Sequence, residues 1–182
     1  MQVVKIIFGI GWSAFWIYWF VAAFSTKRGH VAWSRELRIR AVIAVLVFAL
    51  IRFGAFRNHG LNSDPWRAAV GLALFADGLA FAIWARIHIG RNWGSPMSQR
   101  NDPELVTSGP YRRVRHPIYT GILVAGAGTA IALSWVWLIG VALAGIYFIY
   151  SAVVEEHNLT QQFPDAYPAY KHSTKMLVPF IL

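Results

Sequence analysis

Hydrophobic and polar positions fall into long blocks along this chain and do not alternate at short period. The longest block, residues 117–154, contains no charged side chain and ends abruptly at Glu155-Glu156. As α-helix, these roughly 38 residues would extend about 57 Å at 1.5 Å per residue. A hydrocarbon core of about 30 Å takes roughly 20 residues, so the block predicts a helical hairpin. Its crossings are expected at about 117–133 and 135–154, with the turn near Leu133-Ser134-Trp135. Folding it in half returns Glu155 and Glu156 to the face that carries Tyr111, Arg115 and His116. Three further charge-poor blocks cover about 3–24, 41–51 and 68–85. The 41–51 block is short but bounded by Arg40 and Arg52, whose long side chains reach to the interface. Residues 6–24 are too long and too aromatic for the apolar core of a signal peptide, which predicts a retained span. The expectation is an all-α integral membrane bundle of about five transmembrane helices.

Composition agrees with that pattern. Hydrophobic residues make up 57% of the chain and charged residues 14%, with a mean hydropathy of +0.45. These values lie outside the range of soluble domains. Nine Trp and seven Tyr suit a chain with much surface at headgroup depth. The net charge of +9 comes from Lys and Arg in the connections between apolar blocks, with no stripe on a polar domain. Anionic headgroups are therefore the expected counterpart, and nucleic acid is not. Cytoplasmic loops collect Lys and Arg. Five spans with the N-terminus outside put Lys27, Arg28, Arg35, Arg38, Arg40, Arg86, Arg91, Arg100, Arg112, Arg113, Arg115, Lys171 and Lys175 on the cytoplasmic side, with the site and the C-terminal tail. Lys5, Arg52, Arg57 and Arg67 remain opposite. The absence of cysteine excludes disulfides, thiolate nucleophiles and cysteine metal sites. No repeat or linker divides the chain, so a single membrane domain over 1–182 is expected.

Several constellations carry candidate chemistry. Arg112, Arg113, Arg115 and His116 precede a helix start at Pro117, where a first turn tolerates proline. They are either interfacial anchors or, with the Ser108-Gly109-Pro110 turn and Tyr119, a cradle for a small charged ligand. Glu155 and Glu156 are either interfacial carboxylates or partners for an ammonium or sulfonium. Neighbours on a helix point about 100° apart, so one could meet a ligand's cation while the other pairs with an arginine of the preceding loop. Asp77 lies within a span, where an acid suggests function; a pairing with Arg52 or with Trp and Tyr donors is the structural alternative. Gly126-Ala127-Gly128 lacks the preceding strand of a dinucleotide loop and predicts close helix packing. His30, His59, His88, His157 and His172 have no metal-type spacing, and no metal is expected.

The ordered series Gly90-Arg91-Asn92-Trp93, Leu105-Val106-Thr107-Ser108-Gly109-Pro110-Tyr111, Arg115-His116-Pro117-Ile118-Tyr119-Thr120-Gly121, Glu155-Glu156, Phe163-Pro164-Asp165-Ala166-Tyr167 and Tyr170-Lys171 resembles the isoprenylcysteine carboxyl methyltransferase family. That family shares its core with membrane phospholipid N-methyltransferases. The resemblance covers about residues 68–182, a methyltransferase core behind variable N-terminal helices over 1–67. It implies S-adenosylmethionine as methyl donor, a cytosolic cofactor pocket and a lipidic or prenylated acceptor arriving from the bilayer. Carried over by position, cofactor contacts fall on Gln99, Leu105, Val106, Tyr111, His116, Pro117, Tyr119, Glu155 and Glu156, and catalytic roles on Glu155, Glu156 and Arg115. The family's arginine four residues before the first glutamate is Ser151 here, which leaves Arg115 or Arg91 to meet an acceptor carboxylate. A carboxylate acceptor is already ionised at neutral pH; an amine would need a base, for which Glu155 or His116 are candidates. Carboxyl O-methylation of an isoprenylcysteine-like substrate is the leading expectation. Phospholipid or amine N-methylation, a small transporter and a noncatalytic membrane scaffold are the alternatives.

Overall fold

The computed structural model describes residues 2–24, 29–31, 64–93, 98–100 and 104–178. The expected span over 41–51, with Arg40, Arg52 and His59, lies outside the described residues. Among the described residues, five α-helices form the framework: α1 (Gln2–Ala23), α2 (Pro65–Ile89), α3 (Pro117–Ala132), α4 (Trp137–Gln162) and α5 (Ala166–Ser173). Among the described residues, α1, α2 and α4 are long and apolar enough to cross a membrane, and α3 is a shorter apolar helix of 16 residues. The all-α membrane bundle stands, with one addition. Strands β1 (Gly29–Val31) and β2 (Ser98–Arg100) pair antiparallel, His30 opposite Gln99.

The helix boundaries follow local chemistry. Pro65 opens α2 at a position where its missing N–H costs nothing. Gly90 ends the helix at φ 55°, a left-handed value that suits glycine, and its N–H bonds to Arg86 O. Pro117 opens α3 directly after His116. The hairpin turns at Ser134, whose carbonyl accepts the Trp137 N–H at 3.0 Å, at the place the apolar pattern predicted.

Side-chain size sets the packing. The α2/α3 seam is nearly side-chain-free: a Cβ on Gly78 would stand 2.5 Å from Ala125 N and 2.6 Å from Gly121 O, and one on Gly71 2.6 Å from Gly128 O. Such backbone approach is how helices associate in lipid, where apolar burial supplies little drive. The pair runs antiparallel, since Gly71 meets Gly128 and Gly78 meets Gly121. α4 packs on the other side of α3, with Val141 against Gly126 and Leu123 against Gly145. The two glycines of Gly126-Ala127-Gly128 therefore serve different neighbours.

α1 lies along α2 through an aromatic stripe at helical spacing, Phe8, Trp12, Phe15 and Trp19. Phe8 packs on Phe75 and Trp19 on Trp93, so α1 and α2 run parallel. Trp12 donates its indole N–H to Thr129 Oγ1 at 3.1 Å, tying α1 to α3. The C-terminal ends of α1 and α2 are joined by Arg86, buried at 3% exposure. Its guanidinium donates to Ala22 O (2.7 Å) and Gly90 O (2.8 Å) and lies over the Trp93 ring at 4.7 Å. A cation suits two helix C-termini at once. Asp77 sits on the exposed face of α2.

Candidate methyltransferase site

The ends of α3 and α4 that meet beside α5 carry the site. Residues 113–120 are held by the chain that follows α5. Arg115 N donates to Lys175 O (2.8 Å), His116 N to Met176 O (3.0 Å) and Lys175 N to Arg113 O (3.3 Å). The Thr120 hydroxyl donates to Leu177 O at 2.6 Å, and the Tyr170 hydroxyl to Tyr111 O at 2.6 Å. This strap gives the loop ahead of α3 backbone partners that its own sequence neighbours do not provide.

Within that frame the two glutamates separate. Glu156 is 2% exposed. Its Oε1 accepts Arg115 Nε–H at 2.6 Å and faces His116 Nε2 at 3.3 Å, and its Oε2 pairs with Lys171 Nζ at 2.8 Å. Arg115 is committed in the same direction, its Nη1 donating to Thr174 O at 2.5 Å and Lys171 O at 3.1 Å. A buried carboxylate held by several charge-assisted donors is fixed in both position and ionisation.

The Glu155 side chain, 37% exposed, turns the other way. Its Oε2 lies 3.5 Å from the Tyr119 hydroxyl, which donates to it, and 3.6 Å from His116 Nδ1. Beside it the His116 and Tyr119 rings stack at 5.3 Å and 4°, and Tyr119 stacks on Phe148 of α4 at 4.5 Å and 3°. Three parallel rings thus form a wall that ends at a carboxylate. His116 stands between the acids, one ring nitrogen toward each.

Tyr111 is 6% exposed and belongs to a cluster with Ala85 and Ile118, against which Val106, Trp93 and Tyr119 pack. Its hydroxyl donates to Ala85 O at 3.4 Å and its ring stacks on His88 at 6.4 Å. Burial raises the Tyr111 hydroxyl above the ordinary tyrosine value, so it stays a neutral donor. Gly109, at φ 58°, lets the chain pass this corner, for a Cβ there would stand 2.6 Å from the His88 ring.

The structure therefore gathers Val106, Tyr111, Arg115, His116, Pro117, Tyr119, Glu155 and Glu156 at one end of the bundle. Leu105 is half-buried beside Val106. Gln99 lies on β2, and its side chain is outside the described part. Ser151, one turn before Glu155, is fully buried. Sequence reasoning missed Phe148 and gave Lys171 no site role. Phe148 precedes Glu155 by seven residues, two helical turns, a spacing that puts both on one face. The partners of Lys171 depend on where α5 docks, and no local pattern reveals that.

The family model described as phospholipid methyltransferase matches residues 66–166. Protein-S-isoprenylcysteine O-methyltransferase B of Arabidopsis thaliana is 29% identical over 157 residues, covering 84% of this chain and 75% of the relative. Nickel-cobalt-cadmium resistance protein NccN of Alcaligenes xylosoxydans xylosoxydans is 30% identical over 143 residues, covering 77% of this chain and 62% of the relative's length. Methanethiol S-methyltransferase 1 of Bradyrhizobium diazoefficiens is 36% identical over 78 residues, 43% of this chain and 27% of the relative. The matched interval holds every residue of the ring wall and both glutamates, and on it this chain belongs to the phospholipid methyltransferase family, with isoprenylcysteine O-methyltransferases among its relatives.

Proposed function

We propose that this protein transfers a methyl group from S-adenosylmethionine to a lipidic acceptor at the membrane, by carboxyl O-methylation of an isoprenylcysteine-like thioether. The single observation that carries the reading is the division of labour between the acids: Glu156 locked in a buried ionic cluster, Glu155 at the end of the His116–Tyr119–Phe148 wall. When bound, S-adenosylmethionine supplies an electrophilic methyl on a positively charged sulfur. The residues fit such a group, because aromatic faces and a carboxylate are what a desolvated cation needs.

In this reading Glu155 meets the positive end of the donor, while His116, Tyr119 and Phe148 line its flank and shield it from water. Val106 and Leu105 border the same corner. Arg115, Glu156 and Lys171 are positioning residues: their mutual bonds hold His116 and the start of α3. Tyr111 supports the wall from the α2 side. An acceptor carboxylate is deprotonated at neutral pH and needs no base, so the protein's contribution is orientation and exclusion of water, worth several kcal/mol of barrier for a well-aligned pair, up to about 7–11. The arginines at this end of the bundle favour a cytosolic position for it.

The test is incubation of purified protein with methyl-labelled S-adenosylmethionine and, separately, farnesylated N-acetylcysteine, phosphatidylethanolamine and methanethiol. Label released from the farnesylated product by mild alkali, as a methyl ester requires, and lost in Glu155→Gln, is the expected result. Label only on phosphatidylethanolamine or methanethiol would transfer the reading to those acceptors, and none on any would end it.

A further inference from the structure

Glu156 and Lys171 form the inner edge of a second feature, outside the ring wall. A cleft of about 280 Å³ opens between the last turns of α4 and the C-terminal strap, lined by Val153, Glu156, His157, Thr160, Lys171 and Met176. One side is polar and one apolar. Lys171 is the exposed cation: its side chain is 51% exposed, and an ammonium has three N–H donors, of which the Glu156 pair uses one. Thr160 spends its proton on Glu156 O at 2.7 Å, so its oxygen presents lone pairs to the cleft. Basic residues His172 and Lys175 lie near it in the chain and are exposed.

The apolar side does not stop at the cleft. Val153 (53% exposed) continues upward into Ile149 (42%) and Ile146 (67%). With His157 and Thr160 these positions follow spacings of three and four residues, one face of α4. From Ile146 to His157 that face is about 16 Å long at 1.5 Å per residue, a length an acyl chain can lie along. A free inorganic anion would use only the lysine; a molecule with a charged head and a chain would use both parts.

From this continuity we infer that the cleft is a binding site for an anionic phospholipid, its phosphate on Lys171 and its chain on Val153, Ile149 and Ile146. Headgroup hydroxyls meet Thr160. Because the same lysine bonds Glu156, the lipid also braces the buried cluster behind the ring wall. Glu155 does not line this cleft, and lipid binding is measured without methyl transfer, so its failure leaves the proposed activity untouched.

Native mass spectrometry of the detergent-purified protein tests it, titrating phosphatidylglycerol, phosphatidylcholine and inorganic phosphate in parallel. The expected result is a saturable phosphatidylglycerol adduct whose dissociation constant rises at least about tenfold in Lys171→Gln and in His157→Glu. His157→Glu leaves the Glu156 cluster intact and keeps the test valid if Lys171→Gln unfolds. Equal affinity for phosphatidylcholine, competition by inorganic phosphate at equal concentration, or an adduct indifferent to His157→Glu and to Lys171→Gln would each overturn the assignment.

Discussion

A rotation of about 100° per residue separates the side chains of Glu155 and Glu156 on α4, and their surroundings differ accordingly. Glu156 Oε1 is 2.6 Å from Arg115 Nε, both side chains under 10% exposed, whereas the Glu155 side chain is 37% exposed beside Tyr119. Removing one member of a buried ion pair leaves the other charge uncompensated, at a cost of about 3–5 kcal/mol. Glu156→Gln is therefore expected to lower the thermal unfolding midpoint in detergent strongly. Glu155→Gln should change stability by less than about 1 kcal/mol while weakening S-adenosylmethionine binding at least about tenfold, about 1.4 kcal/mol, in a calorimetric titration. The reverse pattern would exchange their roles. The chain makes both acids conspicuous, and helix geometry alone says that they diverge. Which one turns inward is set by Arg115 and Lys171, contributed from 41 residues before and 15 residues after Glu156 in sequence.

At the scale of elements, the site depends on α3 being held from both sides. Its α2 face is closed by glycines at seven-residue spacing, Gly71 with Gly78 and Gly121 with Gly128, and its first turn by the strap after α5. Gly121→Val is expected to force α2 and α3 apart, because even its Cβ would lie 2.6 Å from Gly78 O and 2.7 Å from Ala82 N. Overpacking of this kind costs about 1–3 kcal/mol, and chemical denaturation in detergent would measure it. A wild-type midpoint in the variant would mean that the seam is looser than described. The apolar helices α1 to α4 were legible from charge-poor blocks, the short polar α5 was not, and the α3/α4 turn fell where the block had to fold. The strap was not legible: residues 174–177 follow α5 without regular structure, and their backbone groups pair with residues 113–120, a partnership no local pattern encodes.

For the whole molecule the arrangement of helices decides which ends meet. α1 and α2 run parallel, Phe8 beside Phe75 and Trp19 beside Trp93, and Arg86 clamps both C-termini. Because the chain contains no cysteine, pairs of introduced cysteines report this without interference. Phe8→Cys with Phe75→Cys, and Trp19→Cys with Trp93→Cys, are expected to cross-link under mild oxidation. Phe8→Cys with Trp93→Cys should not, since those positions lie at opposite ends of the pair. A cross-link in that third pair would contradict the parallel packing.

Charge-free length, interfacial aromatics and a few ordered motifs were enough to establish a membrane-embedded helical protein of this family, because the bilayer imposes its own length scale and the motifs keep chain order. Tertiary structure alone assigned Glu156 to a buried cluster and Glu155 to an aromatic wall, recruited Phe148 and Lys171, and bound the start of α3 to the tail. These outcomes rest on contacts between residues far apart in the chain, whose energies depend on distance and burial and exist only once the helices have docked.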